Sequence, residues 1–358
     1  MAIHNFYAGP SIIDASILET ASNAIRSRED LLSVIEISHR SVRFGEIMEE
    51  ARSLVRELAQ LDDDFEVLFL QGGGRQQFFQ VPFNLLNFNQ VAYYINTGSW
   101  AKQAMHEASF FGKAEAIASS ESTNFNFIPK SAPVPENAAY LHITTNNTIY
   151  GTQFHDIPSV DAPLVADMSS DIFCRPLDYN RFGLVYAATQ KNAGTAGATI
   201  VMVRKSILKK APGSIPTMVD YQTHIKKQSL YNTPPTFAVY MSLLTLRWLK
   251  ASGGLSHFVQ HNEAKSNAIY AEIDRNSMFV GHALKEDRSI MNAVFTFTPE
   301  VNQVRENDFV AFCEARNIIG LKGHSSVGGF RASMYNALPL ESVNALVDTM
   351  QDFEKQFG

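Results

Sequence analysis

Cysteine is nearly absent from this sequence: two residues, Cys174 and Cys313, stand in unrelated contexts. With no CxxC and no His/Cys ligand spacing, neither a disulfide framework nor a structural zinc site is expected. An excess of positive charge is missing too. Lys and Arg number 30 against 36 Asp and Glu, a formal net charge of -6, which leaves no basic footprint for nucleic acid or an anionic membrane. No apolar run approaches the roughly 18 residues that span a bilayer, and MAIHNFYAGPSII lacks a basic stretch followed by an apolar one. A cytosolic protein is the default expectation. Repeats, charge blocks and low-complexity tracts are lacking as well. What remains is a globular composition, 45% hydrophobic and 18% charged over 358 residues, long enough for two domains.

What is present is alternation. Helical and strand-like segments follow one another from residue 15 to about 205, the signature of an α/β layer fold with a mostly parallel sheet. After Phe44, apolar residues recur at Ile47, Met48, Ala51, Leu54, Val55 and Leu58, a spacing of three and four that predicts an amphipathic helix. Strands are predicted at FEVLFL, VAYYIN, AAYLHIT, PLVADM, GLVYAAT and ATIVMVR; several are near-continuous apolar runs, as where helices cover both sheet faces. Pro82 is predicted to interrupt or bend the helix that follows the glycine turn Gly72-Gly73-Gly74. From Thr236 to Ile273 the pattern is helical, broken by Gly253-Gly254. The last third carries a strand (NAVFTF), a helix (NDFVAFCEARN), the segment GLKGHSSVGGFRASMYN and a closing helix from Leu340. These point to a large domain over residues 16–257 and a smaller α+β domain from residues 1–15 and 258–358.

Three segments carry candidate chemistry. In TQKNAGTAG, Lys191 follows an apolar strand and enters a turn of small residues, where a lysine can be partly desolvated and become a usable amine nucleophile. Taken alone, the segment is equally compatible with a solvated surface lysine. In PLVAD, Asp167 ends another strand, 24 residues earlier. A pyridinium cofactor needs a carboxylate at its ring nitrogen, although a strand-end Asp is more often a turn or cap residue. In GGGR, residues 72–75 lie between a strand and a helix, where backbone N–H groups can hold a phosphate; the spacing fits neither a P-loop nor a dinucleotide fingerprint. Trp100 in the TGSW turn offers a flat ring for stacking, or simply a core side chain. Arg40 in SHR and Arg331 in GGFR are candidate carboxylate or phosphate ligands, against the usual role of arginine at a surface.

Nearly end to end, the chain resembles the phosphoserine aminotransferases, class V members of the aspartate-aminotransferase-like fold (pyridoxal phosphate fold type I). ISHRS, LFLQGGGRQQF, TGSW, VADMSSDIFCRP, YAATQKNAGTAG, YNTPPTFAVY and GLKGHSSVGGFRASMYNA carry the likeness. The resemblance implies pyridoxal 5'-phosphate bound to Lys191 as a Schiff base, with the same lysine moving the substrate α-proton. It implies Asp167 at the ring nitrogen, Trp100 on the ring and Thr148 beside it, with Gly74, Arg75 and Gln190 at the phosphate. Asn232 and Thr233 would reach the cofactor phosphate from the neighbouring subunit of a homodimer. Arg331 would take the substrate α-carboxylate; His324, with His39 and Arg40 of the partner subunit, would take the substrate phosphate or the glutamate side chain. The implied reaction converts L-glutamate and 3-phosphohydroxypyruvate to 2-oxoglutarate and O-phospho-L-serine.

The sequence also departs from that pattern. Ser325 stands where the family has an arginine after the histidine of GLKGH, one cation fewer at the phosphate. Tyr150 and Gln153 occupy positions that are more often acidic or small and apolar. A glyoxylate-type class V aminotransferase, acting on an unphosphorylated substrate, is the alternative. A non-catalytic relative that kept the fold is a second one. A cysteine desulfurase would need a cysteine in a mobile loop; Cys313 falls in a predicted helix and Cys174 just after the Asp167 strand.

Overall fold

The computed structural model describes residues 3–27, 32–130, 133–210, 214–301 and 305–358; residues 1 and 2 of the expected small domain lie outside them. Seven strands form one central sheet in the order Phe65–Gln71, Ala198–Arg204, Leu184–Ala188, Leu164–Asp167, Ala138–Thr144, Val91–Asn96 and Lys113–Ser119. Ala198–Arg204 runs antiparallel to both its neighbours, and the other pairings are parallel. Because the antiparallel strand returns directly from Leu184–Ala188, the lysine-bearing segment 189–197 is the connection between them. All six predicted strands are present. Their interior positions are buried almost throughout because helices cover both faces.

One strand of the central sheet is unexpected. Lys113–Ser119, KAEAIAS, sits at the sheet edge with a single neighbour and has no fully buried position. Its alanines carry little strand propensity, and its Lys113–Glu115 ion pair of 2.6 Å faces water. An edge strand of that composition leaves no apolar signature to read.

Helices behave as their patterns require. Val42–Leu58 starts where Ser41 Oγ accepts a hydrogen bond from the Phe44 N–H at 3.2 Å, and buries Phe44, Ile47, Met48, Ala51, Leu54 and Val55. It packs on Thr236–Ala251, which the Gly253–Gly254 break separates from Gly254–Arg275. Gly73–Leu85 runs through Pro82 and ends three residues later, so the proline sits in the last turn of the helix. The helix begins earlier than the glycine turn implied: Gly72 (φ +99°) turns the chain into it, and Gly73, also at positive φ (+69°), is already its first residue.

Hydrophobic packing divides the molecule in two. Clusters on both faces of the central sheet form the first core; the second gathers Phe6, Phe279, Phe295, Phe309, Phe330 and Phe353 around a three-stranded antiparallel sheet, Phe279–Gly281, Asn292–Phe297 and Phe330–Ser333. The helices Glu306–Glu314 and Leu340–Phe357 close over it. His4–Asn5 pairs with Ile318–Ile319, which attaches the N-terminal segment to this second core. Helix Gly254–Arg275 belongs to both, with Phe258 in the first core and Ile269 and Ile273 in the second.

Candidate active site

The parallel strands and Phe65–Gln71 all point their C-terminal ends to one edge of the sheet, where α/β folds place ligands. A cavity of about 270 Å³ opens there. The glycine turn 72–74 and Arg75 line one side of it, Asp167 and Lys191 another, and Trp100 a third. Segments far apart in the chain meet because each follows a different strand of the same sheet.

Lys191 follows the Leu184–Ala188 strand and is held by its backbone: Ser11 Oγ donates to its carbonyl at 2.8 Å, and the Ser11 N–H to the Gln190 carbonyl at 3.0 Å. Burial pulls its amine down from 10.5 to about 8, assisted by the positive charge of Arg331 and opposed by Asp167 and Asp171. A substantial fraction of the amine is therefore neutral and nucleophilic near neutral pH. Asp167 ends its strand buried, and the Ser169 N–H donates to its carboxylate at 2.9 Å. Burial raises its pKa, while Ser169, the lysine charge and the Tyr186 phenol restrain it. An acceptor-only group in such a place needs a cationic or N–H partner from the cavity.

The Gly73–Leu85 helix has no side-chain cap, so its first backbone N–H groups face the cavity mouth with the positive end of the helix dipole. Close approach explains Gly74: a Cβ there would stand 3.1 Å from Ser169 Oγ. The Arg75 guanidinium lies 5.6 Å from the centre of the Trp100 ring. Trp100 belongs to the first turn of helix Ser99–Ala108, and its indole N–H donates to Thr148 Oγ1 at 3.3 Å. Arg331, on a strand of the second core, donates from Nη1 to the Thr148 carbonyl at 3.0 Å, while its buried Nε has no partner among the described residues. That edge of the guanidinium fork is left to take a carboxylate.

Of the sequence-predicted residues, Gly74, Arg75, Trp100, Asp167, Gln190 and Lys191 line the cavity, and Thr148 and Arg331 adjoin it through those bonds. His324 lies on an exposed loop, where the Ser326 N–H donates to Nδ1 at 3.2 Å and so leaves Nε2 as the donor. His39, Arg40, Asn232 and Thr233 are at least partly exposed and do not line this cavity, although Asn232 Nδ2 donates to Gln71 Oε1 at 3.3 Å, beside the glycine turn. Sequence reading missed Thr144, Asn146, Ser169 and Ser170, which also line it. The signal was the short polar residues just past two strand ends, TTNN after His142-Ile143 and SS after Asp167-Met168. Thr144 Oγ1 is buried without a partner among the described residues, an orphan that a polar ligand would satisfy.

Two of the departing positions, Gln153 and Tyr150, have structural partners. Gln153 donates to Asp171 Oδ2 at 3.1 Å and accepts from the Ile290 N–H at 3.0 Å, and Tyr150 Oη lies 3.2 Å from Ser99 Oγ. Both cysteines are buried, and burial pushes their thiols up, Cys313 to about 12. Neither is poised as a thiolate nucleophile. Among the described residues no cluster of three potential metal ligands occurs, and no helix is long and apolar enough to cross a membrane.

Comparison with known proteins matches this geometry. The family model for class-V aminotransferases matches residues 3–346. The phosphoserine aminotransferase of Flavobacterium psychrophilum is 50% identical over 358 residues, covering 99% of this chain and 100% of that one. The crystal structure of phosphoserine aminotransferase from Bacillus circulans subsp. alkalophilus is 41% identical, with a TM-score of 0.96 over 100% of this chain and 99% of that one. The pyridoxal-phosphate-bound phosphoserine aminotransferase of Trichomonas vaginalis is 36% identical, with a TM-score of 0.92 over 98% and 100%. The fold is the aspartate-aminotransferase-like one.

Proposed function

The chain belongs to the class-V aminotransferases, and from that premise we propose that it is a pyridoxal-phosphate-dependent phosphoserine transaminase. It exchanges the amino group of L-glutamate for the keto group of 3-phosphohydroxypyruvate, giving 2-oxoglutarate and O-phospho-L-serine. The observation that carries the reading is the placement of Lys191 and Asp167 on the glycine-turn cavity, with the lysine amine depressed to about 8. The cofactor fits what the residues leave open: an uncapped helix N-terminus for its phosphate, a buried carboxylate for its ring nitrogen and an orphaned Thr144 hydroxyl. Relatives at 50% identity over the whole length carry this activity in their names.

When bound, pyridoxal phosphate supplies an aldehyde carbon to take the amino group and a ring to accept the electron pair left at the substrate α-carbon. The chain's own residues do the rest. Lys191 Nζ, with a pKa of about 8 and so available in both its neutral and its charged form near that pH, serves as the amine partner and then as the base and acid that carries the α-proton. Arg331 fixes the α-carboxylate with its unpartnered Nε edge. Asp167 would hold the ring nitrogen protonated, and Trp100 would cover the ring. Gly74 and Arg75, with Gln190 close by, would take the cofactor phosphate.

His39 and Arg40, with Asn232 and Thr233, complete the site of a second copy in a homodimer. Exposed Leu32, Ile35 and Val42 flank the His39-Arg40 pair, as a covered face requires. The same reading takes residues 16–257 as the large domain and 1–15 with 258–358 as the small one, supported by the two cores.

Substrate choice is the exposed point, since Ser325 offers no charge beside His324. We expect kcat/KM for 3-phosphohydroxypyruvate to exceed that for hydroxypyruvate by about 10-fold or more, the worth of one or two charge-assisted hydrogen bonds. Equal values would shift the assignment to an unphosphorylated, glyoxylate-type substrate.

A further inference from the structure

Beneath the cavity floor lies a buried polar group that the reaction as described does not use. His142 is 2% exposed, in the middle of the Ala138–Thr144 strand. Its Nε2 lies 2.9 Å from the Tyr186 hydroxyl, its ring is 4.9 Å from that of Tyr94 and 5.9 Å from that of Tyr186, and Nδ1 has no partner among the described residues. Tyr186 is the direct register partner of Asp167 on the adjacent parallel strand, so the two side chains share one sheet face. Thr144, register partner of Asp167 on the other side, puts His142 on that face as well.

The direction of the chain follows from donors and acceptors. A buried imidazole with one free nitrogen leaves either an N–H or a lone pair unsatisfied. Were the proton on Nδ1, a donor would be orphaned, and the phenol proton would be spent on Nε2 instead of the carboxylate beside it. With the proton on Nε2, histidine donates to the phenol oxygen and the phenol O–H is released toward Asp167, an acceptor-only group. Burial independently keeps the imidazole neutral, with its pKa pushed down to about 3.

We propose that Tyr186 and His142 are positioning residues for Asp167, a two-step donor chain that orients the carboxylate and keeps it charged toward the cofactor ring nitrogen. This rests on the role assigned to Asp167 above.

The test uses the full-length protein with five variants: Tyr186→Phe, His142→Phe, His142→Gln, the double Tyr186→Phe/His142→Phe and Asp167→Asn. Two readouts are taken: the dissociation constant of pyridoxal phosphate from the cofactor-free chain, and the pH titration of the bound cofactor's absorbance. Loss of one hydrogen bond to a charged group predicts about 10-fold weaker cofactor binding and a displaced titration in Tyr186→Phe and His142→Phe. His142→Gln, whose amide N–H can replace Nε2–H, should recover most of the loss, and the double variant should be no worse than Tyr186→Phe alone. Equal defects in His142→Gln and His142→Phe, additive losses in the double variant, or wild-type affinity and titration in Tyr186→Phe would each overturn the proposal. Should His142→Phe not fold, Tyr186→Phe against His142→Gln still decides it. Asp167→Asn separates the two levels: wild-type binding and turnover there would overturn the role of Asp167 itself, whereas a defect there with an unaltered Tyr186→Phe overturns only the donor chain.

Discussion

Lys191 and Arg331 are both cations held where cations are costly, and each yields a prediction from that cost. Burial lowers the Lys191 pKa from 10.5 to about 8 in the folded chain. Between those values the unfolded chain binds more protons, so stability rises with pH across that window; below about 8 the cost of burying the ammonium is present in full. Lys191→Met should therefore raise the melting temperature of the cofactor-free protein at pH 7, and the gain should shrink by pH 9.5, as followed by calorimetry. A gain independent of pH would contradict the buried amine. Arg331 is held by one bond to the Thr148 carbonyl and keeps its Nε edge open. Arg331→Lys keeps the charge but loses the planar fork, and should raise KM for glutamate by about 10-fold or more in steady-state kinetics.

At the scale of elements, the site depends on how closely the lysine-bearing connection can sit on its neighbours. Gly194 (φ +138°) brings segment 189–197 against helix Thr236–Ala251, where a Cβ would lie 3.1 Å from the Ser242 N and Cα. Those are backbone atoms with little room to yield. Gly194→Ala should destabilise the protein by about 2 kcal/mol or more in urea unfolding, from overpacking and an unfavourable dihedral together. A second set of contacts joins the two cores. Asn146 Nδ2 donates to Ser170 Oγ and to Asn292 Oδ1, both at 2.8 Å, and Asn292 Nδ2 donates to Ser333 Oγ at 3.0 Å. The strand that carries Arg331 is thereby tied to the turn that carries Thr148. The expected PLVADM and GLVYAAT strands put Asp167 and Lys191 at the same sheet edge. The edge strand Lys113–Ser119 was not legible because it has no apolar period of its own; the helix of Trp100 has one, but it is made of the alanines Ala101, Ala104 and Ala108, which mark a buried face only weakly.

For the whole molecule, it has a direct consequence that His39, Arg40, Asn232 and Thr233 do not line their own chain's cavity, if a partner supplies them. Lys191→Ala and Arg40→Ala should each be nearly inactive, and mixing the two under conditions of subunit exchange should restore activity, because a mixed dimer contains one site with both residues intact. An absence of recovery while exchange is demonstrated by a mass-tagged subunit would place Arg40 outside the site. The exposed side chains Leu32, Ile35 and Val42 around that pair make the same face the expected contact between copies.

The sequence by itself determined the layered α/β architecture, the burial faces of the helices and the candidate lysine and carboxylate. Those follow from local pattern: apolar periodicity, strand ends and turns of small residues act over a few neighbouring positions. Only the tertiary structure decided which polar residues share the cavity. Thr144, Asn146, Ser169 and Ser170 are ordinary in sequence and meet because two neighbouring strands, Ala138–Thr144 and Leu164–Asp167, end at one edge. It also decided the electrostatics, since a lysine in a turn is drawn down to about 8 only once the surrounding chain excludes water from it. His142 is the clearest case: in AAYLHIT it reads as one polar residue in an apolar strand, and the pairing of three strands sets it behind Tyr186 and Asp167.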